Sequence, residues 1–201
     1  MASSSSNLFG PDGAARGMFG LHAGFTLSRP TLTRLAGIIP ADVPIHAHVA
    51  EDPCDAEHAR AEGFAGALDR LAKLGVLREG SLLAHGVHLA DSEIDLVRNA
   101  GAYVAHNPES NCNNAVGYGD PGRLPEGRAL LGTDGMGSDV LGAARFAFLE
   151  HRARGGRGEP FALVRAMLFD NPSAYLSALF GRPVGRIEEG RQADFAIFDY
   201  P

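Results

Sequence analysis

The chain is poor in cysteine. It has two in 201 residues, Cys54 and Cys112, and they form no CxxC pair. Two widely spaced thiols make neither a disulfide framework nor a soft-sulfur metal site, and they read as free thiols in a reducing cytoplasm. Long hydrophobic runs are missing: none approaches the ~20 apolar residues of a membrane-spanning helix, so no membrane partner is expected. The opening MASSSSNLFG lacks the charged and apolar regions of a signal peptide. Basic blocks are missing too. With 18 Lys and Arg against 24 Asp and Glu, the formal net charge is −6, and nucleic acid is not an expected partner. No GxSxG stretch occurs, which removes the nucleophile elbow of serine hydrolases.

What is present suits an ordinary globular chain, with 45% hydrophobic and 21% charged residues. Its 26 glycines are spread along the sequence and read as many short turns. Apolar stretches alternate with helix-like ones. GMFGLHAGFTL (17–27), VPIHAHVAE (43–51), SLLAHGVHL (81–89), AYVAHNP (102–108) and RALLGTDG (128–135) read as strands. Segments 28–39, 55–75 and 91–101 read as the helices between them, with Ser28 as an N-cap and Gly75 as a stop. ESNCNNAVGYGDPGRLPEG reads as a long polar loop, irregular over 117–127. Two further helices are expected over 140–156 and 160–181. Nearly continuous apolar strands separated by helices predict a parallel sheet covered on both faces, built from βα units without sequence repeat.

The polar residues fall at the strand ends. His22 is late in the first strand, and His48 and Glu51 close the second. His85 and His88 lie in the third, His106 and Asn107 end the fourth, and Asp134 ends the fifth. In parallel α/β folds the carboxyl ends of strands hold the chemistry. A single HxxE is a weak signal, and a lone buried histidine is usually structural. Five strands each delivering His or Asp to one edge are harder to explain by packing. Neutral imidazole and carboxylate are ligands for zinc or an iron-like divalent ion. Side chains alternate along a strand, so His48 and Glu51 can meet only if Glu51 lies past the strand end. His46 shares a face with His48 and is the rival ligand; His48 is nearer the carboxyl end.

GLHAGFTLS, HAHVAEDPCD, LLAHGVHL, AHNPESNCNNAVG and LGTDG, in that order, resemble the amidohydrolase superfamily. Within it they are most similar to SsnA-type aminohydrolases, relatives of guanine and cytosine deaminases and triazine chlorohydrolases. The resemblance implies a partial (β/α)8 TIM barrel, about barrel strands four to eight, with outer helices. Residues 1–16 would be a polar tail, 17–184 the partial barrel, and 185–201 the start of a small β domain. It implies a hydrolase that uses metal-activated water on a carbon–nitrogen bond of a small, nitrogen-rich or cyclic amidine-like substrate.

The resemblance also implies roles. His48 and Asp134 would be metal ligands, with His85 a further ligand or the group that steadies water, substrate or the tetrahedral oxygen. Asp134 would be the base and Glu51 the proton shuttle. His22, His106 and Asn107 would line the substrate pocket. The metal motif HxH of barrel strand one has no counterpart before Gly17. This implies a fragment that associates with another copy or with a complementing N-terminal segment. A non-catalytic binding or assembly module, or one half of a split hydrolase, are the alternatives.

Overall fold

The structure, a computed structural model, describes residues 15–192 and 195–197. Five strands form one parallel sheet in sequence order: β1 (Phe19–Leu21), β2 (Ile45–Val49), β3 (Leu82–His85), β4 (Tyr103–His106) and β5 (Ala129–Leu131). The expected strands are all there, shorter than their apolar runs. Helix α1 (Arg29–Ile38) follows β1 and is capped by Ser28, whose hydroxyl accepts from the Thr31 N–H.

The single helix expected over 55–75 is two, α2 (Pro53–Ala61) and α3 (Ala67–Lys73). The Ala-rich composition favours one helix, but a buried carboxylate decides otherwise. Glu93 is 1% exposed, and its Oε1 accepts from the N–H groups of Leu68 and Asp69 at the start of α3. Any Cβ at Gly66 would lie 2.4 Å from that oxygen, so only glycine admits it. The same carboxylate accepts from the Ala90 N–H and so caps α4 (Asp91–Asn99).

The stretch read as a polar loop after β4 begins with a helix, α5 (Pro108–Asn113). Pro108 stands in its first turn, where a missing N–H costs nothing. Its polar side chains are engaged by the strand ends, as described below. The remainder, from 114 to 128, is irregular apart from a 3-10 turn at Pro121–Arg123. Helix α6 (Val140–Arg154) ends on left-handed Gly155. The last helical run is α7 (Pro160–Arg165), a wide π turn over Ala166–Asp170, and α8 (Asn171–Phe180). The widening precedes Pro172, which has no N–H to give to the helix.

Burial alternates along β2. Ile45, Ala47 and Val49 are buried, His46 is exposed and His48 is intermediate. The buried set packs with Leu83 and Val104 against Leu32, Leu68, Leu71, Ile94 and Val97 from α1, α3 and α4. Among the described residues this main core lies on one side of the sheet, and the opposite side is open at Gly20 and His46, while Ala84 and Leu130 on it are buried. Coverage of both faces was expected because short strands of small apolar residues do not show which side is left open. The tail read over 1–16 falls outside the described residues except for Ala15 and Arg16. Over residues 185–192 and 195–197 no strand forms.

Candidate active site

The candidate side chains leave the carboxyl edge of the sheet together. His48 stands in β2 and Glu51 two residues beyond it. His85 ends β3, His106 ends β4, and Asp134 lies three residues past β5. Of five non-glycine residues with positive φ among those described, three are here: Ala50 at 53°, His85 at 74° and Asp134 at 53°. Left-handed backbone costs an L-residue roughly 1–2 kcal/mol. The surrounding contacts must therefore hold it. At Ala50 the holder is Asp55, whose buried carboxylate accepts the Ala50 N–H at 2.8 Å. This turn also ends the strand's strict alternation, which is how Glu51 comes to the side of His48.

The result is a close polar group. His85 Nε2 lies 3.6 Å from Glu51 Oε2 and 3.7 Å from Asp134 Oδ2. The His48 ring stacks 5.4 Å from that of His85, and the His22 ring lies 5.5 Å from that of His48. His46, one pleat back on the same face, is exposed. His22 is exposed at the rim, its Nδ1 3.0 Å from the Thr26 hydroxyl. The loop bearing it is anchored by Arg70, 1% exposed, which donates to the Gly24 and Leu27 carbonyls and to Glu62.

Local electrostatics separate the two metal-ligand candidates. Burial, and then the neighbouring His85, push the His48 pKa down. The hydrogen bond from Ser110, followed by the Gly135 N–H and the imidazoles of His85 and His48, holds Asp134 below the usual carboxylate range. An ionised Asp134 beside a neutral His48 is the state in which both can ligate a cation.

Three residues here carry no signal of their own in the sequence. Ser110 Oγ donates to Asp134 Oδ2 at 2.6 Å, Asn111 Oδ1 lies 2.9 Å from His85 Nδ1, and Asn114 Nδ2 donates to Glu51 Oε1 at 3.3 Å. The stretch ESNCNN holds them, and serine and asparagine there look like loop composition. His106 and Asn107, expected at the pocket wall, are 2% and 4% exposed. Asn107 Nδ2 sits 3.4 Å from His85 Nδ1, behind the ring. Gly132 of the LGTDG motif allows this approach, since a Cβ there would be 2.0 Å from Asn107 Oδ1. His106 faces away from the open edge, with its ring 6.4 Å from that of Tyr118. His88, read within the third strand, lies in the turn after β3, where its Nε2 bonds the Val116 carbonyl at 2.7 Å.

The donor types suit a divalent ion. His48 Nδ1 is buried with no hydrogen-bond partner, and His85 Nε2 stands near two carboxylates at distances longer than hydrogen bonds. Among the described residues, however, no group of three or more His, Cys, Asp or Glu is placed as a complete metal shell.

The amidohydrolase family model matches residues 9–201. The chain belongs to the amidohydrolase family. It is 34% identical over 166 residues to a 5-methylthioadenosine/S-adenosylhomocysteine deaminase of Halobacterium salinarum, covering 80% of this chain and 38% of that protein. It is 29% identical to a 5'-deoxyadenosine deaminase of Methanopyrus kandleri, covering 94% of this chain and 46% of that protein. Among solved structures it resembles an adenosine deaminase from Xanthomonas campestris with bound zinc. That match has a TM-score of 0.70 and 28% identity, and covers 88% of this chain and 42% of the other. The chain thus spans less than half the length of these relatives. Its five parallel strands in sequence order, with their helices, form part of the family's (β/α)8 barrel.

Proposed function

We propose that this chain supplies the catalytic edge of a metal-dependent aminohydrolase that deaminates a small nitrogen-rich ring of the purine type. The observation that carries the reading is the meeting of His85 Nε2 with the Glu51 and Asp134 carboxylates at 3.6 and 3.7 Å. The deaminase names of the relatives support the class of bond. His48 and Asp134 would hold a divalent ion, zinc as in the Xanthomonas neighbour or iron, with His85 beside them. When bound, such an ion lowers the pKa of water toward about 7.

The chain's own groups divide the proton work. Asp134, kept ionised by Ser110 and Gly135, accepts a proton from the attacking water. His85 orients that water between the two carboxylates. Glu51 delivers a proton to the nitrogen side of the substrate. The water oxygen bonds to the ring carbon, Asp134 passes its proton to the departing amino nitrogen, the carbon–nitrogen bond breaks with release of ammonia, and the new hydroxyl returns a proton to Glu51 as the oxo group forms. His22, exposed at the rim, would touch substrate, and Asn107 would act from behind His85, whereas His106 lies away from the open edge.

A second reading is half of a split hydrolase, favoured by the incomplete donor shell among the described residues. One experiment separates the readings. Zinc content and ammonia release from adenosine, 5'-deoxyadenosine and guanine are measured for the chain alone, and for the chain co-expressed with the amino-terminal half of the Halobacterium relative. Release by the chain alone supports the first reading, and release only on co-expression supports the second. In either case Asp134→Asn and Glu51→Gln must abolish it. Absence of release in both arms overturns the enzymatic reading and leaves a non-catalytic module.

A further inference from the structure

One short helix touches all three groups to which the proposed chemistry assigns proton work. Ser110, Asn111 and Asn114 lie within five residues of α5 and its C-cap. They reach Asp134, His85 and Glu51 respectively, each through a side-chain hydrogen bond. The contacts join β3, the turn after β2 and the turn after β5, which are far apart in the chain. A turn of polar residues with low helix propensity is thereby held helical, and the three strand ends are held by one rigid piece.

The contact at His85 has a chemical consequence. A carbonyl oxygen only accepts, so a hydrogen bond between His85 Nδ1 and Asn111 Oδ1, 2.9 Å apart, requires the proton on Nδ1. Asn107 Nδ2 approaches the same nitrogen at 3.4 Å and is the weaker contact. His85 and Asn111 are 2% and 1% exposed, so water does not compete for this bond. A neutral ring protonated at Nδ1 has a lone pair at Nε2. That lone pair faces the space between Glu51 and Asp134.

We propose that Asn111 is a positioning residue that fixes His85 as the Nδ1–H tautomer, with Ser110 and Asn114 aligning the two carboxylates around its Nε2. The proposal rests on the functional reading for the importance of these groups, and it deepens it. His85 then serves as an acceptor: it receives a hydrogen bond from the attacking water or lends its lone pair to a cation. It does not donate to the developing oxygen of the tetrahedral species. That oxygen must be stabilised by another group.

The test needs neither substrate nor activity. The metal-free chain is labelled with 15N, and the ring nitrogens of His85 are read at pH 7.5 by long-range proton–nitrogen correlation, with His85→Gln identifying the signals. The expected spectrum has a pyrrole-like Nδ1 and a pyridine-like Nε2. Asn111→Leu keeps the bulk but lacks the acceptor, and it should shift His85 to mainly Nε2–H. Asn111→Asp restores an acceptor and should restore Nδ1–H. Zinc affinity of the Leu variant should fall ~10–100-fold, the usual effect of removing such a partner. A wild-type ring that is Nε2–H or doubly protonated overturns the proposal without any variant having to fold. So does a Leu variant that leaves the tautomer unchanged. Failure of the ammonia assay would leave this result standing, so the two ideas fail separately.

Discussion

His85 and His106 end neighbouring strands in equivalent register, since Ala84 pairs with Ala105, and both are 2% exposed. Their surroundings are opposite. His85 has one nitrogen on Asn111 and the other turned to two partly exposed carboxylates. His106 lies among Tyr118, His151 and Asp120, away from the open edge, and burial first, then the charge of His151, takes its pKa down to about 4. A histidine at a strand end is therefore not a site by position. The difference lies in what the second ring nitrogen meets. Around His85 the backbone is strained and carboxylates converge on an accessible space. Around His106 the polar groups mostly face one another: the Tyr118 hydroxyl is 2.7 Å from His151 Nδ1, and Asp120 is engaged by the N–H groups of Gly122 and Arg157.

The largest effect expected from this contrast is catalytic. In whichever form of the protein releases ammonia, Asp134→Asn should cost at least ~10²-fold in rate, the lower range for losing a proton-transfer group. Its side chain is 32% exposed, so the urea midpoint should move by less than about 1 kcal/mol in equivalent stability. A loss of stability that matches the loss of rate would make Asp134 a structural residue and erase the contrast.

His106 should behave the other way, with stability as its readout. In the unfolded chain it titrates near 6.5, and in the folded chain at about 4. Between those values the unfolded state binds more protons, so stability falls as pH falls. The contribution is complete above pH 6.5 and is lost progressively down to about pH 4. At 1.36 kcal/mol per unit this amounts to on the order of 3 kcal/mol. Urea midpoints measured from pH 7.5 to 4 should show the decline, and His106→Gln should flatten it. An equal slope in the variant would mean that His106 is not the buried neutral group.

Much of the fold could be read from the chain because strand and helix segments differ sharply in composition. VPIHAHV and SLLAH are apolar with β-branched or bulky residues, and their order fixes a parallel arrangement. The histidines and Asp134 were legible because titratable side chains at strand ends are conspicuous. ESNCNN was not legible as a helix, since Ser and Asn favour turns and the reason for its helicity lies elsewhere in the chain, in Asp134, His85 and Glu51. The break between α2 and α3 was hidden for the same reason: Glu93, 27 residues past Gly66, caps α3. Burial of His106 and Asn107 could not be seen either, because it depends on Tyr118 and Gly132 in other segments. Local pattern reports what a segment prefers, and long-range polar partners decide the exceptions.

The smallest effect concerns the edge of the second cluster. Tyr118→Phe removes the hydroxyl that faces His151 Nδ1 and keeps the ring against His106. His151 is 2% exposed and its Nε2 is already without a partner, so the buried ring would lose its closest hydrogen bond. Asp120 Oδ1, 3.7 Å from Nδ1, is too distant to replace it without movement. Leaving a buried ring nitrogen unmatched costs about 1–3 kcal/mol. The lower end applies here, because Tyr118 itself is only partly buried and the neighbouring loop can adjust. The expectation is a loss of about 1 kcal/mol by urea titration at pH 7.5. Ammonia release by the folded protein should be unchanged, and so should the His85 tautomer. A tenfold loss of activity at unchanged stability would instead join the Tyr118–His151 pair to the site, and the two histidine environments would have to be treated as one.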